Sequence, residues 1–131
     1  MKKHKNLAAL FVMGFLCGCS TAPRGHFDLS QRRVTIRTEP TAARVTQLRP
    51  LGQASLDLGV TPLVNRSVTV LTNITMKNMS FNETQKLLEH RNNLVVLIEK
   101  DGYKPYRATL ATRPNEIIEH SINLTPKLNN E

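Results

Sequence analysis

The sequence predicts a mainly β domain with one short helix, preceded by an N-terminal targeting segment. From Arg32 onward, short runs of β-branched and apolar residues alternate with polar ones, and Gly, Pro, Asn and Asp divide the runs. One stretch, which opens at Ser80, has the residues of a capped helix. The first 16 residues instead place a short apolar run behind clustered lysines, which is the layout of an export signal.

The predicted strands are residues 33–37, 43–48, 67–76, 94–98, 106–110 and 117–124. Residues 94–98 are apolar on both faces, which predicts the central and best-covered strand. Asp101 and Gly102 supply turn chemistry, so residues 106–110 are expected to return as its hairpin partner. The segment that contains Pro50, Gly52 and Gly59 is expected to be a long, turn-rich connection.

The helix is predicted over residues 81–91 as an insert in the β domain. Ser80 can cap it, and Glu83 can reach back to complete a capping box. The apolar residues Met76, Met79 and Phe81 have two interpretations. They seat the helix on the sheet, as apolar stripes usually do, or they form an adaptable contact surface for a partner.

The N-terminal segment, residues 1–18, is interpreted as a cleaved signal peptide. Its apolar run covers only residues 7–16, whereas a transmembrane helix needs about 20 apolar residues. The two cysteines that follow, Cys17 and Cys19, could form a metal or redox pair. Their single intervening residue is, however, tighter than the Cys-x-x-Cys patterns of such sites.

The segment Leu16-Cys17-Gly18-Cys19 resembles the lipobox of bacterial lipoprotein precursors. That resemblance implies cleavage before Cys19 and attachment of diacylglycerol and further acyl chains such as palmitate to this cysteine. It also implies an outer-membrane lipoprotein facing the periplasm, because Ser20 replaces the aspartate that favours inner-membrane retention. Residues 19–31 would then be a lipid-anchored flexible tether.

Three motifs together resemble the PEGA domain, a small β-sandwich-like module of bacterial envelope proteins. They begin at Pro40 (PTAARV), Gly59 (GVTPL) and Lys100 (KDGY), and the resemblance implies a PEGA-like domain over residues 32–127. Ala42 replaces the glycine of the family pattern. The matching residues, to which structural roles are assigned, are Pro40, Ala43, Val45, Gly59, Thr61, Pro62, Gly102 and Tyr103. The family is a binding or architectural module and brings no catalytic residues.

The net charge of +8 falls to +5 if Lys2, Lys3 and Lys5 leave with the signal. An exported protein is not expected to bind nucleic acid. The remaining basic residues are therefore interpreted either as an ordinary solvated surface or as a face that attracts anionic glycans. Arg33, Arg37 and Arg107 are the candidates for such a basic face.

The sequence contains none of the common hydrolase, zinc-protease or nucleotide-binding motifs, so no enzyme, cofactor or metal site is predicted. His26, His90 and His120 are isolated from one another, and Glu119 and His120 would point to opposite faces of a strand. The predicted function is a non-catalytic, lipid-anchored envelope protein that binds or scaffolds another envelope component, with protein preferred. The alternatives are peptidoglycan or anionic polysaccharide binding and, less favoured, an envelope hydrolase.

Overall fold

The computed structural model describes residues 24–50, 52–77 and 79–128, of which seven segments are strands and one is a helix. The elements are β1 (Arg24–Glu39), β2 (Arg44–Gln47), β3 (Leu56–Val60), β4 (Leu63–Lys77), α1 (Phe81–Glu89), β5 (Asn93–Glu99), β6 (Tyr106–Ala111) and β7 (Ile117–Asn123). The predicted signal peptide and Cys19 lie outside these ranges. Within the described ranges, no helix is long and apolar enough to cross a bilayer.

The strands form two sheets that share one apolar core. One sheet has the order β4-β1-β7 and the other the order β3-β2-β5-β6. All pairs are antiparallel except β1 and β7, which run parallel. Val34 and Ile36 of β1 and Leu94, Val96 and Ile98 of β5 are fully buried in the same cluster. The predicted mainly β class is confirmed.

The central strand of the sequence prediction is confirmed in type and position. β5 lies between β2 and β6, and four of its seven residues are buried. β6 is its antiparallel hairpin partner, as expected, with Leu94 opposite Leu110 and Ile98 opposite Tyr106. Leu94, Val96 and Ile98 belong to the core that β5 shares with the other sheet, and Val95 on the opposite face is also fully buried.

The start of β1 corrects the predicted tether. Residues 24–31 are strand rather than irregular chain, paired with β4 from Arg24 opposite Lys77 to Gln31 opposite Thr69. Gly25, Asp28 and Ser30 are typical of turns, although Phe27 and Leu29 alternate with polar residues, so the local signal for a strand is mixed. Backbone pairing with β4 stabilises the strand.

β3 was predicted as part of a turn-rich connection, and this was wrong. Leu56–Val60 pairs antiparallel with β2, with a register shift between Val45 and Thr46. Gly59 lies at this irregularity with a φ of 112°, a conformation that L-residues rarely adopt. A glycine at a bulge therefore has the same sequence signature as a glycine in a loop.

Helix α1 has the predicted capping box. The Ser80 hydroxyl accepts a hydrogen bond from the Glu83 N–H at 3.2 Å, and the Ser80 N–H donates to the Glu83 carboxylate at 3.4 Å. The helix ends at Glu89, two residues before the predicted end. His90 is its C-cap, and Asn92 then takes a positive φ of 58°.

The C-terminal end of α1 is bonded to the outer face of the β5-β6 pair. Arg107 and Thr109 on β6 both donate hydrogen bonds to the Glu89 carboxylate at the end of α1. Val95 is opposite Thr109 and so shares this outer face; it is fully buried without belonging to the main core cluster. Leu87 is the buried residue of the helix. The Glu89 hydrogen bonds therefore tie the end of α1 to the outer face of β6.

Candidate functional site

Two of the three motifs are joined by hydrogen bonds at one end of the sandwich. The Ala42 N–H donates to the Thr61 carbonyl at 3.0 Å, and the Thr61 N–H donates to the Ala43 carbonyl at 2.8 Å. The Ala43 N–H also donates to the Thr61 hydroxyl at 3.0 Å. Pro40 and Pro62 flank this ladder, at the end of β1 and the start of β4. We call this the motif end.

The third motif closes the same end onto the C-terminal segment. The Lys104 N–H donates to the Thr125 carbonyl at 2.8 Å, and the Lys127 N–H donates to the Gly102 carbonyl at 2.9 Å. Tyr103, half-buried, packs against the core, in which Val45 is fully buried. The Gly102 φ of 84° suits a glycine in a turn. The motif residues thus connect strands.

The predicted partner-contact residues Met76, Met79 and Phe81 lie at the opposite end of the sandwich, which we call the helix end. They differ in how far the structure describes and exposes their side chains. Phe81 is 74% exposed, and Met79 is half-buried. Met76 lies in β4, and its side chain is outside the described part of the structure. Phe81 does not seat the helix on the sheet, because Leu87 is the buried residue of α1.

Phe81 and Leu88 form an exposed apolar stripe on α1. They are seven residues apart, two helical turns, and therefore lie on one face about 10 Å apart along the axis. Leu88 is 41% exposed. We call these two residues the α1 stripe. Both side chains are exposed, so the stripe is available to another molecule.

An ion-pair cluster joins the end of α1 to β6. The Arg107 guanidinium donates to both oxygens of the Glu89 carboxylate, at 2.6 and 2.8 Å, and the Thr109 hydroxyl donates at 2.8 Å. The hydrogen bonds from Arg107, supported by Thr109, lower the pKa of Glu89 to about 2, against the opposing effect of partial burial. The same contact with Glu89 raises the pKa of Arg107. The cluster fixes the helix rather than exposing a reactive group.

The histidines do not converge on a site. Burial lowers the pKa of His90, so its ring is neutral at neutral pH. His120 lies on β7, where its Nε2 is 3.0 Å from the Ala111 carbonyl oxygen. The side chain of His26 is outside the described part of the structure. Among the described residues, no group of three His, Cys, Asp or Glu side chains could hold a metal ion.

The arginines proposed as one basic face lie on opposite sides of the sandwich. Arg33 and Arg37 alternate with the core residues of β1, so they lie on the outer face of the three-stranded sheet. Arg107 lies on the outer face of the four-stranded sheet. Arg37 is also paired with Glu119 at 3.0 Å. A single binding face cannot include all three.

A cavity of about 430 Å³ opens at the helix end between the two sheets, α1 and the segment that follows β2. We call it the helix-end cavity. Its apolar lining residues are Phe27, Leu29, Leu48, Pro50, Leu56, Val70, Leu71 and Leu87. Its polar lining residues are Gln47, Arg49, Gln53, Thr69, His90 and Asn93.

Comparison with known proteins gave no relative. No protein-family model matches the chain, and no curated protein or solved structure matches it significantly. Functional conclusions therefore depend on the residues and geometry of this chain.

The helix-end cavity and the Glu89 cluster were not predicted from the sequence. Both are assembled from segments distant in sequence; for example, Glu89 and Arg107 are 18 residues apart. The one available signal was a set of apolar residues outside the predicted strands, notably Phe27, Leu29 and Leu56.

Proposed function

We propose that this chain is a lipid-anchored, non-catalytic protein of the bacterial cell envelope whose PEGA-like β domain binds another envelope protein through the α1 stripe. The observation that carries the proposal is the 74% exposure of Phe81 on a helix that Leu87 already holds in place. The lipobox-like residues that end at Cys19 support the anchor. The two-sheet architecture and the hydrogen bonds that join the motifs support a PEGA-like sandwich.

The α1 stripe has the chemistry of a protein contact. Aromatic residues are enriched at interfaces, and burial of an exposed Phe or Leu stabilises a complex by about 1.5–3 kcal/mol for each residue. Both ends of the helix are held, the start by the capping box and the end by the Glu89–Arg107 ion pair. A partner would therefore have to order the Phe81 and Leu88 side chains but not the helix backbone.

The proposed anchor would hold the helix end towards the membrane. β1 begins at this end, and Cys19 precedes Arg24 by five residues, a reach of at most about 18 Å. The partner would accordingly be a membrane protein or a protein close to the membrane surface.

The partner contact is tested by cross-linking in cells. A photoreactive amino acid at Phe81 or Leu88 should give a discrete cross-linked protein, whereas the same amino acid at Val64 should not. Val64 is a matched control because it is 61% exposed and lies near the motif end. Equal capture from all three positions, or no capture from Phe81 and Leu88, would contradict the proposal.

The anchor is tested by metabolic labelling with a fatty-acid analogue. Label and membrane association should be lost in Cys19→Ala and retained in Cys17→Ala, which changes the neighbouring cysteine but leaves the proposed modified one. Label retained in Cys19→Ala would contradict the lipoprotein assignment, and it would leave the α1 contact to be judged by its own cross-links.

A further inference from the structure

We infer that the helix-end cavity binds a single-chain anionic amphiphile, a molecule with one acyl chain and a carboxylate or phosphate head. This site is separate from the α1 stripe, since neither Phe81 nor Leu88 lines the cavity. The inference rests on the shape, the apolar lining and the charge of the cavity.

The cavity has an apolar floor and an apolar rim. Val70, Leu71 and Leu87 are buried and form the floor, whereas Leu29 and Leu56 are 63% and 43% exposed at the opening. Ligand cavities in proteins range from about 300 to 1,000 Å³ and are mostly apolar with a few fixed polar groups. The helix-end cavity, at about 430 Å³, has these properties.

The charge of the lining favours an anion. Arg49 is the charged residue among those lining the cavity, and no Asp or Glu lines it. Arg37, Arg44, Arg107 and Arg113 each pair with a carboxylate, whereas Arg49 makes no ion pair with another described residue. A guanidinium beside an apolar cavity is suited to hold a carboxylate or phosphate by charge-assisted hydrogen bonds.

The polar groups of the wall favour an acyl chain over a peptide. The Gln47 side-chain amide donates to the Thr69 carbonyl at 2.9 Å, and that of Asn93 donates to the Glu89 carbonyl at 3.0 Å. One N–H of each amide is thus used within the protein, whereas a peptide backbone buried here would need a partner for every one of its own N–H and C=O groups. An acyl chain needs none.

The volume sets the length of the chain. If a methylene takes roughly the 30 Å³ that a water molecule takes in the liquid, a cavity of 430 Å³ has room for about 14 carbons. Dodecanoate is therefore a suitable probe of the site.

The test uses the full chain in phosphatidylcholine nanodiscs with a dodecanoate that carries a terminal diazirine. After illumination, cross-links should map to peptides that contain residues 27–29, 69–71 and 87–90. Excess dodecanoate or dodecyl phosphate should remove them, and which of the two competes better identifies the head group. Dodecyltrimethylammonium, with the same chain and a cationic head, should compete about tenfold less well.

The matched variants are Arg49→Gln and Arg37→Gln. Arg49→Gln should weaken labelling about tenfold because it removes the cation at the opening, and Arg37→Gln, on the outer face of the other sheet, should leave labelling unchanged. Labelling that survives excess dodecanoate, maps to the peptide of Phe81 instead of the three peptides named, or is the same in wild type and Arg49→Gln would overturn the inference. None of these results depends on capture of a protein by the α1 stripe.

Discussion

Ala42 adopts a φ of 62°, in the left-handed region where a β-carbon is strained. The family pattern that the first motif resembles has glycine at this position, and the backbone geometry gives a physical reason for that preference. We predict that Ala42→Gly raises the free energy of unfolding by about 0.5–1 kcal/mol, because relief of strain exceeds the added entropy of the unfolded chain.

The neighbouring substitution Ala43→Gly is the control for Ala42→Gly. Ala43 is fully buried and has an ordinary φ, so its loss should destabilise the protein. Both changes can be measured by urea denaturation. A lower midpoint for Ala42→Gly would show that the left-handed conformation is not strained by its methyl group.

Glu89 gives the protein a defined sensitivity to acid. Its folded-state pKa of about 2 is below the ordinary value of 4.5, so the ion pair with Arg107 contributes fully above pH 4.5. As pH falls from 4.5 towards 2, the unfolded chain takes up a proton before the folded one, and that contribution is lost. We expect the loss to be about 1 kcal/mol, since the pair is partly exposed.

Arg107→Gln should therefore lower stability at neutral pH and flatten its dependence on pH between 4.5 and 2, as followed by thermal unfolding. Arg113→Gln is the control, because the Arg113 guanidinium is 3.7 Å from Glu116 and both side chains are largely exposed. An unchanged pH dependence in Arg107→Gln would mean that the Glu89 contact contributes nothing.

At the scale of the elements, Leu87 and Leu88 separate the attachment of α1 from its exposed surface. Leu87 is fully buried beneath the helix and Leu88 is 41% exposed. Leu87→Ala should cost about 2–5 kcal/mol in the free energy of unfolding, and Leu88→Ala less than about 0.5 kcal/mol. Hydrogen exchange of the α1 amides would show whether Leu87→Ala acts on the helix first; equal effects of the two substitutions would contradict this packing.

The sequence predicted those elements whose local residues agree with their final environment. β5 is apolar on both faces, and the box of Ser80 and Glu83 marks the start of α1. β3 and the first half of β1 were missed because their sequence signals conflict. Both alternate apolar and polar residues, as in Leu56-Asp57-Leu58 and Phe27-Asp28-Leu29, but each also contains Gly and Asp, which are typical of turns. Pairing with β2 and β4 stabilises both segments as strands. The cavity could not be predicted from the sequence either, because its lining comes from six elements and their connections.

At the scale of the whole molecule, Thr61 links the two sheets. Its hydroxyl shares a hydrogen bond with that of Thr38 on β1 and accepts one from the Ala43 N–H, directly before β2. Thr61→Val keeps the shape but leaves buried polar groups without a partner, so we predict a loss of about 1–3 kcal/mol. The exposed Thr125→Val should change the urea midpoint little. Equal midpoints for both variants would show that the link is dispensable.

The parallel pairing of β1 with β7 would have a mechanical consequence if the proposed anchor holds the protein by its N-terminus. A pull at Arg24 and at Leu128 draws the two strands lengthwise in opposite directions, so the seven residue pairs from Arg33–Ile117 to Glu39–Asn123 bear the load together. A pull at Arg24 and Lys77 instead opens β1 and β4 one pair at a time. Force spectroscopy should accordingly give a higher rupture force in the first geometry, and equal forces would contradict this. A partner that pulls on the C-terminal segment would therefore have to break all seven β1–β7 residue pairs together before the domain could unfold.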